Sequence, residues 1–445
     1  MKKFLVVLMA LLFAGSAFAQ DAPKGPDFKY NFFGMAYGVS GSQDDLEYDY
    51  THVRVRPMFT LGNENVKGVV RLEIDQDYGK EATAAGADNG TDNMVVEVKW
   101  AYMEVNNMLV DNLTFTAGLN AYLIPLVVDN DFAMFNAAYD FGMGKVQLAY
   151  IKHQEYDYIT KASDGTKTID DTESYAVQIP VKAGMIKITP AYMYTKVGKD
   201  INDDMWATLG DASDTATFNS ESFYHDGNLS NYAIALNSDF GMVTFDAAFD
   251  YSKGKVKKTT EGAAVVDYTT AKYDIKTYAF DAIVGVKPAE GIKISLFYTL
   301  YSGDDKADDE VTSHIATMDT FYSAPDGRLF LLDQGGISNN GGYNPFNKGN
   351  AALGLNIYGL KADATFGKLG LMAQYAYVTT AKDNAAGDNF LGQEVDLKVS
   401  VDVAPATQLF AEYGYIFAGD DNMGLDVNGK AENAQQFAWG LKTSI

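Results

Sequence analysis

The sequence contains no cysteine and only four arginines in 445 residues. After its first 19 positions it has no apolar run long enough to cross a bilayer as a helix. Without cysteine the chain cannot be a disulfide scaffold, an iron–sulfur protein or a Cys-ligated zinc domain. A net charge of -24 argues against nucleic acid, because phosphate binding relies on Lys and Arg. No EF-hand, Walker loop, Gly-x-Ser-x-Gly or metal-protease spacing occurs, so neither a metal nor a cofactor is expected. The four histidines, His52, His153, His225 and His314, are not set beside a nucleophile and an orienting acid in any hydrolase spacing. The chain is therefore not expected to be an enzyme.

What is abundant is apolar and aromatic. Hydrophobic residues make up 47% of the chain, with 29 Tyr and 26 Phe. Residues 1–19 read as a signal peptide: Lys2-Lys3, an apolar run from Phe4 to about Ala14, and small residues ending Ala17-Phe18-Ala19. Residues 20–445 show no linker-like break and are expected to form one architecture.

The pattern of that architecture is clearest between Tyr50 and Asp75. Thr51, Val53, Val55, Pro57, Phe59 and Leu61 alternate with His52, Arg54, Arg56, Met58 and Thr60. After Gly62-Asn63-Glu64-Asn65 comes a second alternating run in which Arg71, Glu73 and Asp75 share a face. Successive side chains on a strand point to opposite faces, so this is a hairpin with one apolar and one charged side. Pairing Leu61 with Val66 would set Arg54 against Glu73, His52 against Asp75 and Arg56 against Arg71.

The same alternation predicts about 18 strands of roughly 10 to 12 residues, an even number that suits a closed transmembrane β-barrel. Short glycine-containing turns recur as FGMGKV, KAGMIK, FGMVTF, AEGIKI and FGKLGL, since tight hairpin turns need positive φ. The opposite connections are long and polar. A soluble sandwich would also alternate, but Tyr192/Tyr194, Tyr375/Tyr377 and Tyr413/Tyr415 close apolar faces where a headgroup interface would lie. The fold class is thus all-β, an antiparallel barrel with short periplasmic turns and long extracellular loops. A parity change in the strand beginning near Ala351 predicts a bulge at Tyr358-Gly359. Pro57, Pro180 and Pro190 predict rim bulges.

Pore-lining candidates are His52, Arg54, Arg56, Arg71, Glu73, Asp75, Glu97 and Lys99, a charged wall that polarises passage or stiffens the barrel. Asp44-Asp45, Asp170-Asp171, Asp203-Asp204, Asp304-Asp305, Asp308-Asp309-Glu310 and Asp420-Asp421 give the loops an acidic mouth that concentrates cations. The longest loop, Gly303 to Asn350, carries apolar residues, and Phe321, Arg328 and Phe330 are the expected constriction. Ala121 to Asp131 could also tuck inward.

The runs RVRPMFTLGNENVKGVVRLEID, VEVKWAYMEV, LTFTAGLNAY and DNDFAMF resemble outer-membrane porins near the alginate-export and substrate-specific porin families. The resemblance implies a barrel of about 18 strands with inward-folded loops. The expected function is a passive, water-filled channel in the outer membrane of a Gram-negative-type cell, cation-preferring, with a local Arg/Lys strip. Expected partners are membrane lipid and lipopolysaccharide, small hydrophilic solutes, and further copies of the chain if it is a trimer rather than a monomer. A barrel displaying partner-binding loops is the alternative, and a membrane-embedded hydrolase a distant third.

Overall fold

The computed structural model describes residues 26–43, 46–78, 96–154, 172–197, 222–260, 269–304, 310–313, 329–331, 353–383, 387–419 and 433–445. The signal peptide, Phe321, Arg328, His314 and most of the acidic loop pairs lie outside these residues.

Twenty strand segments occur in chain order. They are β1 (Asp27–Gln43), β2 (Leu46–Gly62), β3 (Val66–Tyr78), β4 (Val96–Asn106), β5 (Leu113–Ile124), β6 (Val128–Asp140) and β7 (Lys145–Gln154). Then come β8 (Thr172–Gln178), β9 (Val181–Ala183), β10 (Ile186–Val197), β11 (Ser222–Asp239), β12 (Val243–Thr260), β13 (Thr269–Ala289) and β14 (Ile292–Tyr301). The last are β15 (Glu310–Val311), β16 (Leu355–Phe366), β17 (Leu369–Thr379), β18 (Phe390–Ala404), β19 (Thr407–Ala418) and β20 (Ala434–Ser444). β8 and β9 are one stave, because both pair with β10, and the two-residue β15 runs parallel to β13. This leaves a closed antiparallel barrel of 18 staves. β20 pairs back onto β1, and Phe32 and Ile445 exchange two further backbone hydrogen bonds. Closure leaves the wall no free edge, which a lipid environment requires.

Leu296, Phe135, Leu148 and Trp439 point outward and are more than half exposed, whereas their strand neighbours Phe297, Met134, Ala149 and Ala438 are buried. Tyrosines pair across neighbouring staves on the outer face: Tyr150 with Tyr175, Tyr192 with Tyr232, Tyr251 with Tyr278, and Tyr358 with both Tyr298 and Tyr377. They form a belt at one membrane–water boundary, where an apolar ring with a polar tip is favoured.

Several expectations are corrected. No bulge occurs at Tyr358-Gly359; the register of β16 runs unbroken against β14 and β17. Leu355 and Ile357 instead face inward into an apolar cluster, and Gly359 leaves room for the Phe297 ring across from it. Pro180 falls in the break between β8 and β9, beside Pro190, whose carbonyl accepts the Ile179 N–H at 3.0 Å. That break takes the place of a bulge. β11, β12 and β13 run farther than predicted, to 18, 18 and 21 residues, because antiparallel pairing continues through polar sequence beyond the apolar band.

Candidate functional site: the inner wall of the barrel

The hairpin register differs by two residues from the one expected. Leu61 pairs with Gly68, and Arg54 with Asp75. The turn explains the difference: Asn63 Oδ1 accepts the N–H groups of Asn65 and Val66, each at 2.9 Å, while Gly62 at φ 151 stays in the ladder opposite Lys67. A two-residue slide keeps each side chain on its face and changes its cross-strand partner.

The new partners turn a like-charge clash into a paired network. Arg56 binds Glu73 rather than facing Arg71. Arg54 Nε donates to Asp75 Oδ2 at 2.6 Å. His52 is fully buried between Asp75 (Nε2 to Oδ1, 2.9 Å) and Asp77 (Nδ1 to Oδ1, 2.7 Å), with the Tyr37 ring 4.7 Å away. Two carboxylates suit an imidazolium, both of whose nitrogens donate. Arg71 lies opposite Met58 and stacks its guanidinium 4.3 Å from the Trp100 ring centroid.

Lys99 occupies a register shift in β4, between Trp100 opposite Arg71 and Val98 opposite Leu72. Its ammonium reaches Glu73 at 3.2 Å and Asp131 at 3.3 Å. Trp100 Nε1 also donates to Asp131, at 2.7 Å. Glu97 stands across from Glu73 but remains exposed. Seven of the eight predicted pore-lining residues are therefore brought together. Asp77, Trp100 and Asp131 complete the network without having been singled out.

Asp131 belongs to a hairpin that leaves the wall. β4 and β5 stay paired only as far as Ala101 with Leu119, whereas β5 and β6 remain paired out to Ile124 with Val128. Gly118, at φ 128 and pressed on the Ala101 carbonyl, sits at the point of departure. Beyond it Ile124, Leu126, Val127 and Val128 are almost wholly buried, so this tip folds into the lumen. The expectation for Ala121 to Asp131 is met.

Across the lumen from that tip, β18 alternates outward Val395, Leu397 and Val399 with inward Glu394, Asp396 and Lys398. Glu394, Asp396 and Glu412 are buried there. Lys398 Nζ donates to Glu412 at 2.6 Å, and Gln374 Nε2 donates to Asp396 at 2.6 Å. The remaining lone pairs hold the long loop: Leu331 N donates to Glu394 Oε1 at 2.7 Å and Phe330 N to Asp396 Oδ2 at 3.2 Å. Leu329, Phe330 and Leu331 join Leu126, Phe297, Leu355, Ile357 and Ile416 in one buried cluster. The inner wall is thus not uniformly polar. On the short-turn side it opens into a cavity of about 770 Å³ lined by residues that include Lys368, Asp402, Gln408, Lys442 and Ser444.

His153 Nε2 lies 2.6 Å from Ser174 Oγ, which lies 2.6 Å from Thr195 Oγ1. The hydroxyl is fully buried, and among the described residues no carboxylate bonds the other ring nitrogen of His153. A hydrolase would need both substrate access and an orienting acid at such a pair.

A closed barrel with an apolar outer belt, an ion-paired inner wall and inward-folded segments defines a transmembrane β-barrel with the fold of outer-membrane porins. The particular resemblances are to Pseudomonas aeruginosa proteins of the OccK/Opd group, one of them described as an outer membrane protein. OccK8 (OprE) superposes with a TM-score of 0.54 at 11% identity over 94% of this chain and 98% of its own. OccK3 (OpdO) gives 0.53 at 10%, covering 94% and 96%, and the OpdK structure with vanillate gives 0.53 at 11%, covering 94% and 98%. At such identities the likeness establishes the shared fold. No protein-family profile and no curated protein sequence matches the chain.

Proposed function

We propose that the protein is a passive outer-membrane channel for small hydrophilic solutes that prefers cations. The observation that carries this reading is the gathering of carboxylates on the inner wall among the described residues. Arg54, Arg56 and Lys99 are matched by Asp75, Glu73 and Asp131, so the basic strip is largely neutralised. Glu394, Asp396, Glu412, Asp250 and Asp281 are buried on the remaining wall, and Lys398 bonds Glu412 there. Rings of carboxylates favour cations in a pore.

The two inward segments supply the constriction. Among the described residues, the apolar side chains of Leu126, Val127, Leu329, Phe330 and Leu331 narrow the lumen. Reversal potentials of the purified protein in planar bilayers under a KCl gradient test the reading. Cation-selective conductance supports it, and anion selectivity overturns the charge argument. Residues 1–19, as a cleaved signal, would deliver the chain to the outer membrane; mass spectrometry of the mature N-terminus tests that.

A further inference from the structure

The repeated turns contain a residue that their geometry does not require. Gly142, Gly184 and Gly241 each adopt positive φ (91, 64 and 80), which accounts for glycine. Each is followed by methionine, although Ile292 and Lys368 occupy the equivalent place after Gly291 and Gly367. Met143, Met185 and Met242 are 70%, 64% and 69% exposed. In the next turn along the rim, between β4 and β5, Leu109 is 86% exposed and sits at φ 69, a strained conformation for a leucine.

These four turns are consecutive along the rim; backbone bonds join the first three in sequence and tie the fourth to β13. Asp140 N donates to the Asn112 carbonyl, Lys182 N to Met143 and Lys287 N to Met242, at 3.1, 2.8 and 2.8 Å. The rest of the same rim presents Asn63-Glu64-Asn65, which Asn106 N bonds at Asn65 O (2.7 Å), and then Lys368 and Pro405. The apolar tips also continue the lipid-facing surface, since Phe141 and Phe240 immediately precede the glycines and are 42% and 50% exposed.

Depth supports one occupant. Phe240 lies eight residues after Tyr232, just past the end of β11, and Phe366 eight residues after Tyr358 within β16. At about 3.3 Å per residue and a tilt near 40°, the tyrosine belt stands roughly 20 Å from these phenylalanines, while barrel apolar bands are about 25 Å tall. The missing few ångströms on this arc are covered by the Gly-Met tips.

We infer that Leu109, Met143, Met185 and Met242 form an anchor that enters the headgroup–acyl boundary of the phospholipid leaflet on the short-turn side, so that the β4–β12 arc sits deeper than the rest of the rim. Lys145, Lys182 and Lys187 beside the tips suit anionic headgroups. The inference rests on the outer-membrane reading above.

Because the chain lacks cysteine, single sites can be spin-labelled without background. Leu109→Cys, Met143→Cys, Met185→Cys and Met242→Cys, with Glu64→Cys and Pro405→Cys as controls, would be reconstituted in phosphatidylethanolamine–phosphatidylglycerol vesicles. The anchor predicts oxygen accessibility severalfold above that of a water-soluble nickel chelate at the first four sites, and the reverse at the controls. Water-like accessibility at all six sites overturns it. So does protection that arises only when a periplasmic extract is added, because the arc would then dock a protein. Conductance measured in the same vesicles separates failure of the anchor from failure of the channel reading.

Discussion

The Arg56 guanidinium binds the Glu73 carboxylate, which also receives Lys99 at 3.2 Å. Glu73 is nearly buried and Arg56 about four-fifths so, and removing one partner leaves the other uncompensated. Glu73→Gln should therefore destabilise the barrel by about 1–3 kcal/mol, less than a fully buried pair because Arg56 keeps some solvent. A urea titration in detergent checks this. The same variant removes the carboxylate that Arg56 binds, leaves Lys99 with Asp131 alone, and should shift the reversal potential toward anions.

Asp131 ties the inward β5–β6 tip to the wall through Lys99 and Trp100. In Asp131→Ala both tethers go while the wall strands stay paired. The expected outcome is larger and noisier single-channel conductance with an unchanged thermal transition. An identical conductance would remove this hairpin from the constriction.

The long loop is held by backbone N–H groups on Glu394 and Asp396. Glu394→Gln keeps an acceptor oxygen for Leu331 N, whereas Glu394→Ala removes it. Alanine should raise conductance and quicken proteolysis within residues 303–350 more than glutamine does. Equal effects would mean that charge, not the hydrogen bond, matters there.

At the seam where β20 meets β1, a Cβ on Gly440 would collide with the Ala36 carbonyl and the Tyr37 backbone. Gly440→Val should block closure, seen as loss of the heat-modifiable band on electrophoresis. Gly142→Val is a control for bulk alone: its Cβ would meet nothing, although its positive φ adds strain. It should still close.

The barrel was legible because alternation depends only on which face each side chain takes, and a register error of two residues leaves every face intact. Partners were less legible. The Asn63 side chain sets the turn, so pairing Leu61 with Val66 moved Arg56 from Glu73 to Arg71. Inward leucines such as Leu355 read as lipid-facing, because alternation cannot tell a lipid-covered face from one covered by a loop returning from another part of the chain. Glu394 and Asp396 carried a usable signal, acids alternating with Val395 and Leu397, overlooked beside the denser arginine cluster. Asp131 carried none, since its wall partners arise only when the hairpin bends inward.

The central claim concerns the passage through the barrel, and the most direct measurement is the zero-current potential of single channels of purified protein in a KCl gradient. Discrete conductance steps with a potential of cation-selective sign are predicted. A silent bilayer at protein densities that give inserted, heat-modifiable barrels, or a potential of anion-selective sign, would contradict it.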